Sequence, residues 1–164
     1  MGTSRSRWLA VIGSAALLAT AVTVVAERAD AATIAVTTTT DGGPGSLREA
    51  FATANVSGDT TIELEPGAEY VLTCAGGGDL DHTSATGLFI RGSHATIRQS
   101  CLGERVIDSS GGGNFSIDQT TVTGGSVTGA AEPGGGIRVT GVAIVERSTI
   151  AGNSTDAQGG GLAI

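Results

Sequence analysis

Three of the triple glycines begin at Gly111, Gly134 and Gly159, separated by 23 and 25 residues. Gly134-Gly135-Gly136-Ile137 and Gly159-Gly160-Gly161-Leu162 are near copies. Other segments echo at similar distances. Phe115-Ser116-Ile117 and Ala143-Ile144-Val145 lie 28 residues apart, and Thr121-Val122-Thr123-Gly124-Gly125 is followed 27 residues on by Ser148-Thr149-Ile150-Ala151-Gly152-Asn153. Within each interval sit short runs rich in Ile, Val, Leu and Thr, with Gly, Ser, Asn and Asp between them. A repeat of roughly two dozen residues holding three short strands predicts one rung of a parallel β-helix.

Strands of three to five residues bury too little to hold a sandwich, and the Asn-Gly hairpins that a sandwich uses are missing. In a parallel coil each rung hydrogen-bonds to the next about 4.8 Å away. Its interior is a column of stacked aliphatic side chains, which suits a chain with only 3% aromatic residues. Glycine and asparagine take the left-handed conformations at the corners. Rung stacking also bears on Cys74 and Cys101, which are 27 residues apart and so fall on neighbouring rungs. A disulfide between them is the favoured reading, with two free thiols the alternative.

Residues 1–31 read as a secretory signal: Arg5 and Arg7, an uncharged stretch from Trp8 to Ala26, then Ala29-Asp30-Ala31. Cleavage is favoured over retention as an anchor, and no stable membrane span is expected after it. Residues 32–59 form an N-terminal cap comprising a short strand and a helix over 46–55. Ser46 can accept from the Glu49 N–H while Glu49 reaches back to Ser46, a capping box. Leu47, Ala50, Phe51 and Ala54 make one apolar face. Residues 60–164 supply the rungs, ending in mid-strand at Ile164 as though further chain follows.

All 9 basic residues are arginine, against 16 acids, for a formal charge of −7. No basic stripe exists, so nucleic acid is excluded as an expected partner. Asp79 and Asp81, two apart, could serve glycoside cleavage, but Gly76-Gly77-Gly78-Asp79-Leu80-Asp81 reads as a solvated loop. Two carboxylates also fall short of a calcium site. His82 and His94 read as surface histidines, and Asn153 as a corner residue. Arg91, Arg98, Arg105 and Arg138 could bind an acidic sugar polymer, although surface ion pairs are the expected use. Asn55, Asn114 and Asn153 begin glycosylation-type tripeptides of little weight. No catalytic residue, cofactor or metal is expected.

The stretch Gly45-Ser46-Leu47-Arg48-Glu49-Ala50 resembles the signature of CSLREA domains, found near the N-termini of exported bacterial right-handed parallel β-helix proteins. The triple-glycine rungs resemble the polymorphic outer-membrane-protein and adhesin-like group. Gly45 departs from the pattern, standing where the family has cysteine. The resemblance spans residues 33–164 and implies an all-β, right-handed parallel β-helix that is secreted or on the cell surface. It transfers no catalytic residue. The expected role is structural or adhesive, with carbohydrate or another surface polymer as partner. The alternative is the N-terminal part of a polysaccharide lyase or hydrolase acting on acidic polysaccharide.

Overall fold

The structure, a computed structural model, describes residues 31–129 and 132–164. The leader reading over 1–31 therefore lies outside the described residues, apart from its last position. The chain winds as a parallel β-solenoid. The first turn holds β1 (Ala32–Ala35) and α1 (Leu47–Ala54); the second holds β2 (Thr60–Glu63), β3 (Glu69–Leu72) and β4 (Leu80–His82). The third holds β5 (Leu88–Gln99) and β6 (Ile107–Ser109); the fourth holds β7 (Phe115–Thr123), β8 (Ser126–Val127) and β9 (Ile137–Val139). The fifth holds β10 (Ala143–Glu146), β11 (Thr149–Ile150), β12 (Ser154–Thr155) and β13 (Leu162–Ala163).

Every pairing is parallel. The principal sheet runs β1-β2-β5-β7-β10, with β3 joining β5 and β11 joining β7 around a corner; a second sheet runs β4-β6-β9-β13, and β8 pairs β12. Registers place like residues above one another. Ile34, Ile62, Ile90, Ile117 and Val145 form one inward column. Tyr70, Ile97, Val122 and Ile150 form a second, and Leu80, Ile107, Ile137 and Leu162 a third. Their middle members are buried. Removing this aliphatic surface from water is the main stabilising term, and the rung-to-rung ladder satisfies the backbone that encloses it.

The period differs from the one that the triple glycines suggest. Thr60 pairs with Leu88, 28 positions on, and Ile107 pairs with Ile137, 30 on, whereas Ile137 pairs with Leu162, 25 on. Gly134 and Gly159 are true equivalents, both left-handed and both leading into paired strands. Gly111 belongs to another corner, where its α-carbon lies against the Ser84 carbonyl. The 23-residue interval therefore joins two different corners. Leu88–Ile90 and Ala95–Ile97 are parts of the single bent strand β5. Ser93 and His94 adopt left-handed φ of 44° and 68° at its bend.

α1 starts at the Ser46 cap, whose Oγ accepts from the Glu49 N–H at 3.2 Å. Glu49 does not return to Ser46: its carboxylate accepts from the Gly45 N–H at 2.5 Å, because the Ser46 N–H is already given to the Gly43 carbonyl. Gly45 itself has φ 77°, and a β-carbon there would meet the Thr37 hydroxyl at 2.3 Å. Glycine is the residue that this close approach admits. Leu47, Ala50, Phe51 and Ala54 are buried, and the helix packs on β4, in the place that an earlier strand of the second sheet would take.

Candidate functional site

Two outward surfaces concentrate chemistry. The first is the outer face of the second sheet. Asp81, Asp108 and Arg138 stand in register on β4, β6 and β9, and Arg138 holds both oxygens of Asp108, at 3.0 and 2.5 Å. Arg105 precedes β6 and reaches across three rungs. Its Nε lies 3.6 Å from Asp79 and 3.8 Å from Asp108, while its Nη groups donate to Glu132 and to the Pro133 carbonyl, both at 2.8 Å.

Asp79 does not sit in a solvated loop: it directly precedes β4 and is half-buried, while Asp81 is a strand residue facing out. Arg105 is not a surface ion-pair residue, since only 6% of it is exposed. His82 is not on the surface either; it is fully buried, with Nδ1 3.3 Å from the Ser109 hydroxyl and Nε2 unpartnered. Alternation along β4 explains the difference, because Leu80 and His82 point inward on either side of Asp81. His94 is exposed as expected. Asn153 is a corner residue: Oδ1 accepts from the Gly125 N–H and Nδ2 donates to the Val122 carbonyl.

Burial pushes the Asp79 carboxyl up to about 6, aided by the charges of Asp81, Glu104 and Asp108 and opposed by Arg105. Desolvation outweighs the nearby guanidinium because that contact is long. Oxygens of Asp79, Asp81 and Asp108 lie within 4.8 Å of one another. Three carboxylates are fewer than the six or more oxygens that calcium takes, and Arg105 and Arg138 already supply positive charge to two of them. Beside Asp79 and Asp81, a cleft of about 270 Å³ opens against α1, bordered by Arg48 and Asn55.

Arg48 and Asn55 are residues whose roles the helical pattern does not reveal. Arg48 donates to Asp41 at 2.8 Å and to the carbonyls of Gly78 and Asp79 at 2.9 and 2.7 Å. Asp41 in turn accepts from the Thr73 N–H and hydroxyl. The helix is thus clamped to the segment leading out of Cys74. That cysteine is bonded to Cys101 on the next rung, with α-carbons 4.8 Å apart. Asn55 and Asn153 both spend their side-chain amides on backbone, which argues against glycan attachment at either.

The second surface lies on the outer face of the principal sheet. Thr61, Phe89, Ser116 and Ile144 form one outward column, and Glu63, Arg91, Asp118 and Glu146 run beside it. Small Ser116 between Phe89 and Ile144 leaves a depression that continues into a groove of about 380 Å³. The Phe89 ring lies over Gly87, where a β-carbon would approach it to 2.9 Å. Arg98 pairs with Glu69, and Arg147 with Asp118.

This architecture defines the protein's class: a parallel β-solenoid with, among the described residues, one short helix ahead of its rungs and a disulfide between successive turns. Comparison with protein-family models, curated proteins and solved structures returns no match. Among the described residues, no helix is long and apolar enough to cross a membrane.

Proposed function

We propose that this is an exported, surface-associated or secreted solenoid that binds a linear polymer, carbohydrate foremost, along its outer face in a structural or adhesive role. The observation that carries this reading is the pair of columns on the principal sheet. They offer a charged side chain on every rung in one column and the Phe89 ring among small and aliphatic side chains in the other, at the spacing of the rungs, about 4.8 Å. A polymer lying along the coil axis would meet a repeating surface of fixed geometry, presented by strands rather than loops. Export is supported by the Cys74–Cys101 bond, of a kind that persists in oxidising compartments, and by the leader-like N-terminus. The likeness of Ser46–Ala50 to CSLREA domains supports the same address.

Affinity electrophoresis in gels cast with soluble polysaccharides tests the binding. Retardation by at least one polymer, weakened by Phe89→Ala, is expected; unchanged mobility in every polymer tested would remove the reading. Edman sequencing of the secreted protein tests the address, with Ala32 as the expected first residue.

A second reading, a glycoside hydrolase, draws on Asp79. A carboxyl titrating near 6 beside other carboxylates is the pairing that a general acid and a base or nucleophile require. Release of reducing ends from uronate polymers, abolished by Asp79→Asn, would favour it; binding without cleavage would leave the first reading alone.

A further inference from the structure

The described chain contains six arginines, Arg48, Arg91, Arg98, Arg105, Arg138 and Arg147. Five of them have a carboxylate within salt-bridge distance. Arg91 alone has none among the described residues, and its side chain makes no hydrogen bond there either. Its in-register neighbours are both acidic: Glu63 on β2 and Asp118 on β7. Asp118 is already held by Arg147. The one guanidinium left uncommitted is exposed, and it borders the groove that Phe89 also borders.

Phe89 and Arg91 are two apart on β5, so both project from the same face. Phe89 is half-buried, seated over Gly87, and Ser116 beside it is too small to fill the space up to Ile144, two rungs away at about 9–10 Å. An apolar ring face, a hydroxyl and a free planar cation therefore border one depression. A guanidinium matches a carboxylate through two parallel N–H donors, which gives orientation as well as attraction.

Building on the polymer-binding reading, we infer that this depression is a subsite for a uronic-acid residue, with the pyranose against Phe89 and its carboxylate paired to Arg91. Asp118, directly beside Arg91, is neutralised by Arg147, which also borders the groove, and Glu146 stands one rung further on, so the carboxylate enters from the Arg91 side. The neighbouring ladder then reads as a selectivity device. Glu63 and Glu146 repel an acidic chain elsewhere along the column, leaving one position where a negative group is accepted.

Isothermal titration of the full chain with oligogalacturonate and with cello-oligosaccharide of the same length tests the inference. Oligogalacturonate is expected to bind at least ten-fold more tightly in low salt. Arg91→Gln should abolish that preference, bringing oligogalacturonate down to the affinity of the neutral sugar, and Phe89→Ala should weaken both ligands. Circular dichroism of each variant checks that the coil is intact. Equal affinity for the two sugars, or a preference unaffected by Arg91→Gln, overturns the uronate subsite and leaves polymer binding standing. No binding of either sugar, or of any polymer in the electrophoresis above, overturns both.

Discussion

Thr83 donates its N–H to Oδ1 of Asn55 at 2.8 Å, and Nδ2 of Asn55 returns a hydrogen bond to the Asp81 carbonyl at 2.8 Å. One side-chain amide at the end of α1 thereby does for β4 what a preceding strand does for every later rung. Seven residues earlier on the helix, Arg48 does the same for Gly78 and Asp79. The helix is a cap in the hydrogen-bonding sense as well as the apolar one, because a sheet edge left bare would invite pairing with another chain.

Asn55→Ala should therefore lower stability by about 1–2 kcal/mol, the usual worth of two neutral hydrogen bonds. The effect should be local, with amide exchange accelerated at Thr83 more than at Ser110, whose N–H donates to the His82 carbonyl. Equal acceleration at both amides would contradict a cap acting on the first edge.

The disulfide closes a span of 27 residues. Chain-entropy arguments give a bridge of that size about 3–4 kcal/mol. Reduction, or the double change Cys74→Ser with Cys101→Ser, should lower the urea midpoint accordingly without changing the far-ultraviolet spectrum under native conditions.

Asp79 and His82 give opposite responses to acid. The Asp79 carboxyl titrates near 3.8 when unfolded and near 6 when folded, so the folded chain keeps a proton that the unfolded chain has released. Stability from this group is greatest at low pH and falls, by on the order of 2 kcal/mol, as pH rises from about 4 to 6. Asp79→Asn should match the parent near pH 4 and exceed it at pH 7 in urea denaturation.

Burial lowers the His82 pKa below 6.5. Its contribution is therefore present above 6.5 and lost as pH falls below that value, where the unfolded chain takes up protons first. His82→Leu, which removes the charge and keeps an apolar volume, should flatten the acid limb; an unchanged slope would show that the ring is not desolvated.

Gly113 and Gly112 are adjacent but unequal. A β-carbon on Gly113 would fall 2.0 Å from the Thr86 carbonyl of the rung below, while Gly112 has open space and a φ of 82°. Gly113→Ala should cost more than about 3 kcal/mol or prevent folding, since two backbones must separate. Gly112→Ala should cost only about 1–2 kcal/mol, the strain of a left-handed alanine. Thermal unfolding of the two variants distinguishes them.

Much of the coil was readable in the chain. Short runs such as Phe115-Ser116-Ile117 mark strands, the cysteine spacing matches a neighbouring-rung bridge, and Asn153 announces a corner. What could not be read was register. The offset between equivalent residues is 25 at one position and 30 at another, so the 23-residue interval at Gly111 misled. Without register, the meeting of Arg105 with Asp79, Asp108 and Glu132 has no visible signal, nor does the adjacency of Phe89, Ser116 and Ile144. The inward turn of His82 was legible in principle, since Leu80-Asp81-His82 alternates, but charge and glycine around it suggested a loop.

The corner at Gly113 has a twin at Gly141, whose α-carbon in turn crowds the Gly113 carbonyl. Main chains there touch with no room for variation, while a few residues away the outward side chains of β5, β7 and β10 border an open groove. Evolution can thus rewrite the recognition face residue by residue, as one changes type in a fixed frame, provided the hinges of that frame stay bare of side chains.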